Sequence, residues 1–166
     1  MQPTPHPDNV YAGSLESLPM LSSTRLTKRS SKAQQTRAFL ARVPFNELLG
    51  IELHRTHPDG ATIRCPLREN LMNGAEVLHG GVTATLADVA VAVAIHHRFG
   101  GTRRITTVEL KINYFRPVSE GILFARATLL RVGGTLCVGR VDLTDARKRA
   151  VGVAIVTYIF LEGQHR

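Results

Sequence analysis

The stretch from His79 to His97 constrains the fold of this chain more than any other. From Val82 to Ile95 it is almost wholly apolar, interrupted by two threonines and by Asp88. A helix that is apolar on all sides is a buried helix, and this one is too short and too rich in alanine to span a membrane comfortably. Gly80-Gly81 opens the helix and Gly100-Gly101 ends it. The stretch therefore predicts one buried helix around which the rest of the chain is built.

Asp88 is the anomaly in this predicted helix. The residues one turn away are Ala84, Thr85, Val91 and Ala92, so no basic partner lies at helical spacing. A buried carboxylate without a partner is costly and tends to shift its pKa or to find a partner across an interface. Two interpretations stay open at this point. Asp88 either faces a water-filled seam or caps a neighbouring loop, or it is a catalytic carboxylate, because perturbed acids gather at active sites.

Length and composition indicate one ordinary globular domain. The chain has 166 residues, of which 43% are hydrophobic and 20% are charged. Its two cysteines, Cys65 and Cys137, lie far apart and form no Cys-x-x-Cys pair. They are typical of small strand residues in a reducing compartment. A catalytic cysteine or a structural zinc site is not expected, because no His or Cys cluster has ligand spacing.

The formal net charge of +8 is concentrated near the N-terminus. Residues 1–31 are rich in Pro, Ser and Thr, and we interpret them as a flexible basic arm. A net positive charge favours binding to a nucleic acid, an anionic membrane surface or a phosphate-bearing cofactor. The charge alone does not distinguish among these partners. The arm contains no apolar core of signal-peptide length, so the cytoplasm is the expected location.

The remainder of the chain predicts strands on both sides of the central helix. Ser31 to Val43 favours a short helix limited by Pro44. Strand patterns bounded by turn signals are Ile51 to His57, Ala61 to Leu67, Thr107 to Tyr114, Ile122 to Val132, Thr135 to Thr144 and Arg149 to Leu161. Long strands, tight turns and one buried helix indicate an α+β architecture in which an antiparallel sheet curls around the helix.

The central helix also carries a family resemblance. His79-Gly80-Gly81, then four residues, then Leu86-Ala87-Asp88 resembles the HGGxxxxLAD signature of PaaI-type hot-dog-fold acyl-CoA thioesterases. Asn73-Gly74 matches the Asn-Gly that precedes this signature in the family, and Tyr114-Phe115-Arg116-Pro117 resembles its Tyr-x-x-Pro strand end. The resemblance extends from about Phe45 to Phe160. It implies a hot-dog fold, a long central helix wrapped by the sheet, for residues 32–166.

The resemblance assigns roles to the start of the helix and to Asp88, more than two turns along it. Free N–H groups at Gly80 lie at the positive end of the helix dipole, where they would polarise a thioester carbonyl. By the family analogy Asp88 is a nucleophile or a general base, and the two roles stay open. The two groups are about 12 Å apart by helical rise, so both cannot touch one carbonyl. The family implies a dimer whose site joins the Gly80 end of one subunit to the Asp88 of the other.

Further site residues follow from the same analogy. Asn73 would orient the water or the carbonyl, although a left-handed turn residue before Gly74 is an equal alternative. His79 is a candidate hydrogen-bond donor near the thioester, with a structural role as its alternative. Expected substrate-binding residues are Gly81, Thr107 and Arg116. Other basic candidates for the phosphates of coenzyme A are Arg131, Arg140, Arg147 and Lys148.

We therefore predict an acyl-CoA thioesterase that releases a free acid and CoA without a metal or organic cofactor, coenzyme A being part of the substrate. An apolar lining expected from Val82, Leu86 and Val89 suits aryl or medium-chain acyl groups. The expected assembly is a homodimer or homotetramer, with no nucleic-acid or membrane partner. The main alternative is a non-catalytic acyl-CoA-binding or regulatory hot-dog module. A hot-dog dehydratase or hydratase is a third possibility, whose His-based motif is not seen here.

Overall fold

The computed structural model describes residues 31–161, and within them six strands form one sheet that packs against a long helix. The helices are α1 (Lys32–Ala41), α2 (Pro44–Leu49) and α3 (Gly80–Phe99). The strands are β1 (Glu52–His57), β2 (Gly60–Pro66), β3 (Arg104–Tyr114), β4 (Ile122–Val132), β5 (Leu136–Thr144) and β6 (Ala150–Leu161). A short 3-10 helix, Glu69–Leu71, lies between β2 and α3.

The sheet has the order β1-β2-β4-β5-β6-β3, and all its neighbouring strands are antiparallel. Helix α3 packs against each strand from β2 to β6. Buried side chains from both layers, among them Ile63, Leu86, Val91 and Val141, form the core between them. The predicted α+β architecture is thereby confirmed, with an antiparallel sheet around one central helix.

Strand β3 is longer than the sequence pattern indicated. Alternation of apolar and polar residues begins at Thr107, whereas the strand begins at Arg104. The extra residues are held by pairing with β6, since Arg104 lies opposite Leu161 and Ile105 opposite Phe160. Long-range pairing therefore extends the strand beyond its local signal. On its other side β3 has no strand neighbour in the described part of the chain.

Two short helices precede the sheet. Ser31 caps α1 through a capping box, in which its hydroxyl accepts from the Gln34 N–H and its own N–H donates to Gln34 Oε1. Residues 44–49, for which the sequence predicted no helix, form α2. Pro44 occupies a favoured first position of this helix, and Gly50 ends it with a φ of 68°.

Helix α3 is not buried on every side, contrary to the sequence-based expectation. It has the length and apolarity of a membrane-crossing helix, but its buried residues pack against the sheet. One stripe stays half-buried and consists of Ala84, Thr85, Asp88, Val89 and Ala92. Asp88 therefore lies on the open side of an otherwise buried helix. The arm predicted for residues 1–31 falls outside the described residues, apart from Ser31.

Candidate active site

Two hydroxyl groups hold the Asp88 carboxylate. Thr107 Oγ1 on β3 donates to Asp88 at 3.0 Å from Oδ1 and 3.3 Å from Oδ2. The Tyr158 hydroxyl on β6 lies 2.8 Å from Oδ1 and 3.1 Å from the backbone oxygen of Asp88. Asp88 lacks a basic partner on its own helix, as predicted, but it is not unpaired. Its partners come from the sheet.

The register of the sheet creates this pair of donors. Thr107 and Tyr158 lie directly opposite each other in the β3–β6 ladder, so both side chains reach the same face. The ladder shifts register between Thr107 and Glu109, which places a bulge at Val108 beside the site. Bulges commonly redirect a side chain next to an active site.

Tyr158 is suited to be a permanent donor. Its side chain is 4% exposed. Burial raises the pKa of its phenol far above the ordinary value, and the nearby Asp88 charge raises it further. The hydroxyl therefore stays protonated near neutral pH. It donates a hydrogen bond to the Asp88 carboxylate and does not add a second negative charge beside it.

A cavity of about 490 Å³ opens beside Asp88. Its walls come from α1, α2, the open stripe of α3 and the two strands that carry the hydroxyls. The lining residues are Phe39, Val43, Phe45, Asn46, Ala84, Thr85, Asp88, Val89, Ala92, Thr107, Leu110 and Tyr158. Of the apolar lining expected from the sequence, only Val89 is present. The expectation for Leu86 was wrong, because its side chain points into the core and is fully buried.

The N-terminus of α3 offers one free N–H group. His79 is the N-cap, and its Nδ1 accepts a hydrogen bond of 2.9 Å from the Gly81 N–H. The Val82 and Thr83 N–H groups bond to the backbone oxygen of His79. The Gly80 N–H has no partner among the described residues. Of the two predicted glycines, Gly80 is thus the available donor, while the Gly81 N–H is committed to the structural role of His79.

Gly80 borders a second cavity, of about 330 Å³, that also contacts Asn73, Tyr114 and Arg116. The Tyr114 hydroxyl donates to the Gly80 carbonyl oxygen at 3.0 Å. Arg116 lies at the same cavity, where its guanidinium donates to the backbone oxygen of Ala150 at 3.3 Å. Three predicted site residues therefore come together at the start of α3.

Asn73 has a clear structural role. Its Oδ1 accepts from the Ala75 N–H at 2.9 Å and from the Val77 N–H at 3.3 Å, which shapes the loop before α3. The left-handed conformation considered for it is wrong, since the residue with positive φ in this loop is Glu76, at 57°. The amide nitrogen of Asn73 has no hydrogen-bond partner among residues 31–161, so it remains available at the cavity of Gly80.

The predicted site is thus divided in one copy of the chain. Asp88 and Thr107 line one cavity, whereas Gly80, Asn73 and Arg116 line the other, and the two linings share no residue. This division agrees with the distance expected along the helix. Within one copy, the carboxylate and the N–H group therefore do not face the same cavity.

The other basic candidates lie away from both cavities. Arg140 pairs with Asp142 at 2.7 Å, and Arg147 lies 4.0 Å from Glu120, with all four side chains exposed. Arg116 alone among the sequence candidates borders the cavity of Gly80. An exposed pair is only weakly held, so these side chains remain free to reorient towards a phosphate.

The described residues contain no group of three or more His, Cys, Asp or Glu side chains that could hold a metal ion. Cys65 and Cys137 are free and buried, and burial raises the pKa of both thiols. A raised thiol pKa disfavours the nucleophilic thiolate.

Tyr158 is the contact that the sequence did not reveal. Alternation along β6 predicts only that its side chain points to one face of the sheet. Its position opposite Thr107 depends on the register of two strands that are far apart in sequence. The available signal was a pair of hydroxyl-bearing residues, Thr157 and Tyr158, in an otherwise apolar strand.

Comparisons with known proteins agree with this fold. A profile described as the thioesterase superfamily matches residues 75–151. The medium/long-chain acyl-CoA thioesterase YigI of Escherichia coli K12 is 29% identical over 136 residues, covering 73% of this chain and 88% of YigI. A candidate esterase of Halobacterium salinarum is 31% identical over 116 residues, covering 63% of this chain and 76% of that protein.

A solved structure extends the comparison to the fold. The PaaI protein of Escherichia coli, from the phenylacetic acid degradation operon, superposes with a TM-score of 0.72 at 22% identity, covering 80% of this chain and 95% of PaaI. At that identity the likeness carries the fold alone. Together with the fold and the site, these matches define a hot-dog-fold thioester hydrolase. The chain belongs to the thioesterase superfamily.

Proposed function

We propose that this protein hydrolyses an acyl-CoA thioester with an aryl or medium-chain acyl group to the free acid and CoA. The observation that carries the proposal is a carboxylate, Asp88, held by two hydroxyl donors at the edge of a mostly apolar cavity. Membership of a thioester hydrolase family supports the reaction. The name of YigI, which acts on medium- and long-chain acyl-CoA, supports the substrate class.

Asp88 serves as general base or as nucleophile. As a base it accepts a proton from a water molecule whose oxygen bonds to the thioester carbon. The tetrahedral intermediate then collapses, the C–S bond breaks, and the sulfur leaves with the electron pair and takes up a proton. As a nucleophile Asp88 itself bonds to the carbon and expels the thiolate, and water then cleaves the resulting anhydride. Both routes need the anionic carboxylate that Thr107 and Tyr158 stabilise.

The Gly80 N–H stabilises the oxygen that becomes negative during attack. It has no hydrogen-bond partner among residues 31–161 and lies at the positive end of α3. His79 holds this end of the helix by capping Gly81, which makes it a positioning residue. Asn73 and Gly81 shape the approach to the carbonyl, and Arg116 contacts the CoA moiety.

A two-fold dimer would complete the site. Strand β3 has a free edge, and it carries Thr107 near one end and Tyr114 at the other. Antiparallel pairing of β3 with a second copy about an axis between Leu110 and Lys111 places residue 107 of one copy opposite residue 114 of the other. Edge-to-edge pairing of this kind satisfies the unpaired backbone groups of β3.

This pairing joins the two halves of the site. Thr107 contacts Asp88, and Tyr114 contacts Gly80. Their apposition across the dimer brings the carboxylate of one copy towards the N–H group of the other, twice per dimer. A further pairing of dimers would give the tetramer, and the reaction as written uses no metal or organic cofactor. We also retain the cytoplasm as the proposed location.

The direct test is a thiol-release assay on a panel of acyl-CoA substrates. We expect turnover of aryl or medium-chain thioesters that exceeds that of the Asp88→Asn protein by at least about 100-fold. Release of CoA no faster than with Asp88→Asn on every substrate of the panel would contradict the proposed function.

A further inference from the structure

The cavity at Asp88 continues away from the carboxylate to the helices that precede the sheet. Its far wall is formed by Phe39 of α1 and by Val43 and Phe45 around the start of α2. These residues lie before the segment matched by the superfamily profile, residues 75–151. The wall is therefore built by a part of the chain outside the segment that the profile matches.

Small residues on α3 leave space in this cavity. Ala84 and Ala92 lie one turn before and one turn after Asp88, and each contributes only a methyl group to the lining. The two positions are about 12 Å apart by helical rise. The cavity is therefore elongated along the helix, with room on both sides of the carboxylate.

The far part of the cavity is mostly apolar, with one polar side chain. Asn46, its polar residue on that side, is buried, and its Nδ2 donates to the Leu40 carbonyl oxygen at 3.2 Å. The remaining groups around it are the aromatic and aliphatic side chains of Phe39, Val43 and Phe45. Such a wall is suited to a hydrocarbon chain, because most of its surface cannot form hydrogen bonds.

Phe39 separates this cavity from another. Its ring stacks on His96 of α3, with ring centroids 4.0 Å apart and an interplanar angle of 16°. Behind the ring lies a further cavity of about 520 Å³, bordered by Gln34, Ala38, Arg42 and His96. Phe39 lines both cavities. One aromatic side chain thus ends the space available from Asp88 in that direction.

We propose that α1 and α2 select the acyl group by length, with Phe39 as the end wall, and that the preferred substrate carries an unbranched medium-chain aliphatic acyl group. The inference rests on the proposed thioesterase function and names the substrate class for the same site.

The test compares two substitutions that act in opposite directions. Phe39→Ala joins the two cavities, and Ala92→Phe fills the space beyond Asp88. The readout is the ratio of kcat/KM for hexadecanoyl-CoA to that for octanoyl-CoA. Since each additional buried methylene changes binding about threefold to fourfold, we expect Phe39→Ala to raise this ratio at least about tenfold and Ala92→Phe to lower it.

Leu48→Ala is the matched control. Leu48 lies on α2, is 63% exposed and borders neither cavity, so its substitution should leave the ratio unchanged. Phe39→Leu and Ala92→Leu replace the first two variants if either fails to fold. A ratio that stays constant in folded Phe39 and Ala92 variants, or that moves equally in Leu48→Ala, would overturn the inference.

Binding separates this inference from the proposed function. Calorimetry on the Asp88→Asn protein compares the affinity for octanoyl-CoA with that for CoA alone, without turnover. Tighter binding of octanoyl-CoA that Ala92→Phe abolishes supports the acyl site even if hydrolysis fails on every substrate. Equal affinity for octanoyl-CoA and CoA would contradict the acyl site even in an active thioesterase.

Discussion

At the scale of single residues, the Asp88 carboxylate is engaged unevenly. Oδ1 accepts from both Thr107 and Tyr158, whereas Oδ2 lies only at the longer distance from Thr107. Oδ2 is therefore the oxygen with more capacity to take a proton or to attack a carbon. The hydroxyl donors hold the carboxylate in one orientation, which is what a base or nucleophile requires.

Replacing Asp88 by Asn tests the carboxylate itself. The substitution keeps the volume and one acceptor oxygen for the two hydroxyls, but it removes basicity and nucleophilicity. We expect kcat to fall by about 100- to 10,000-fold while the melting temperature changes little. A folded Asp88→Asn protein with near wild-type turnover would rule out this mechanism.

Replacing Tyr158 by Phe tests the support of the carboxylate. The variant keeps the buried ring and removes one hydrogen bond to a charged group, a contact worth about 1.5–3 kcal/mol. We expect kcat to fall about tenfold or more with little change in KM. Thr36→Val is a control, because it removes another buried hydroxyl, bonded to His97, away from Asp88. If both variants lower kcat equally, the effect of Tyr158 is one of stability alone.

The sequence indicated part of this constellation. The offset between Gly80 and Asp88 and the family resemblance singled out both residues, and Thr107 was selected by analogy. Tyr158 was not identified, because its contact arises from the β3–β6 register rather than from local spacing. Sequence patterns predict the face of a strand more readily than its partner.

At the scale of secondary structure elements, the backbone at the start of α3 has a geometry that allows proline in place of Gly80. Gly80 occupies the first helical position, and His79 before it has an extended backbone, with φ of −59° and ψ of 132°. Proline is favoured at the first helical position and requires an extended residue before it. Proline can therefore replace Gly80 within the helix geometry, which makes its N–H group separable from its fold.

Gly80→Pro should remove the N–H group without unwinding α3. We expect kcat to fall by about 100- to 1,000-fold, as for the loss of an oxyanion donor. Gly80→Ala is the matched control, since it keeps the N–H and its Cβ would meet only the Tyr114 ring, at 3.6 Å. Helicity by circular dichroism confirms the fold of both. Equal kcat in the two variants would refute the role of the N–H.

The contact between α1 and α3 predicts a pH dependence of stability. Burial lowers the pKa of His96 below 6.5, and the neighbouring charges of His97 and Arg42 lower it further. The unfolded chain therefore binds a proton first as the pH falls. The stability associated with neutral His96 is complete above about pH 6.5 and is lost below it, towards the lower pKa of the folded state.

His96→Phe keeps a ring to stack on Phe39 but removes the titrating group. We expect the melting temperature of this variant to fall less steeply than that of the wild type between about pH 6.5 and 5. Some slope remains, because burial also lowers the pKa of His97 and His57. Identical slopes in thermal melts across this range would show that His96 does not couple pH to folding.

Element boundaries were predictable where local signals are strong. Glycines at both ends bounded α3, and Gly133-Gly134 separated β4 from β5. Helix α2 was missed because six residues carry too little periodicity to distinguish a helix from a loop. The open stripe on α3 was missed for another reason. Its alanines and valines resemble core residues in composition, and only the packing of the sheet shows which side is left uncovered.

At the scale of the whole molecule, one copy of the chain is an incomplete enzyme on this account. The carboxylate and the free N–H group belong to separate cavities, and the free edge of β3 passes between them. The fold of one copy could be anticipated from the order of strands and helix. The assembly could be anticipated only from the helix length and the family resemblance, because no local sequence pattern specifies a partner.

Mixing two inactive variants tests the shared site most directly. In a dimer of one Asp88→Asn subunit and one Gly80→Pro subunit, one site receives both substitutions and the other receives neither. Co-expression of the two subunits in equal amounts should therefore restore about a quarter of the wild-type activity, since about half the dimers are mixed and each has one intact site. If each subunit contained its own complete site, every site would carry one substitution. Activity that stays at the level of the separate variants in verified mixed dimers would contradict the account.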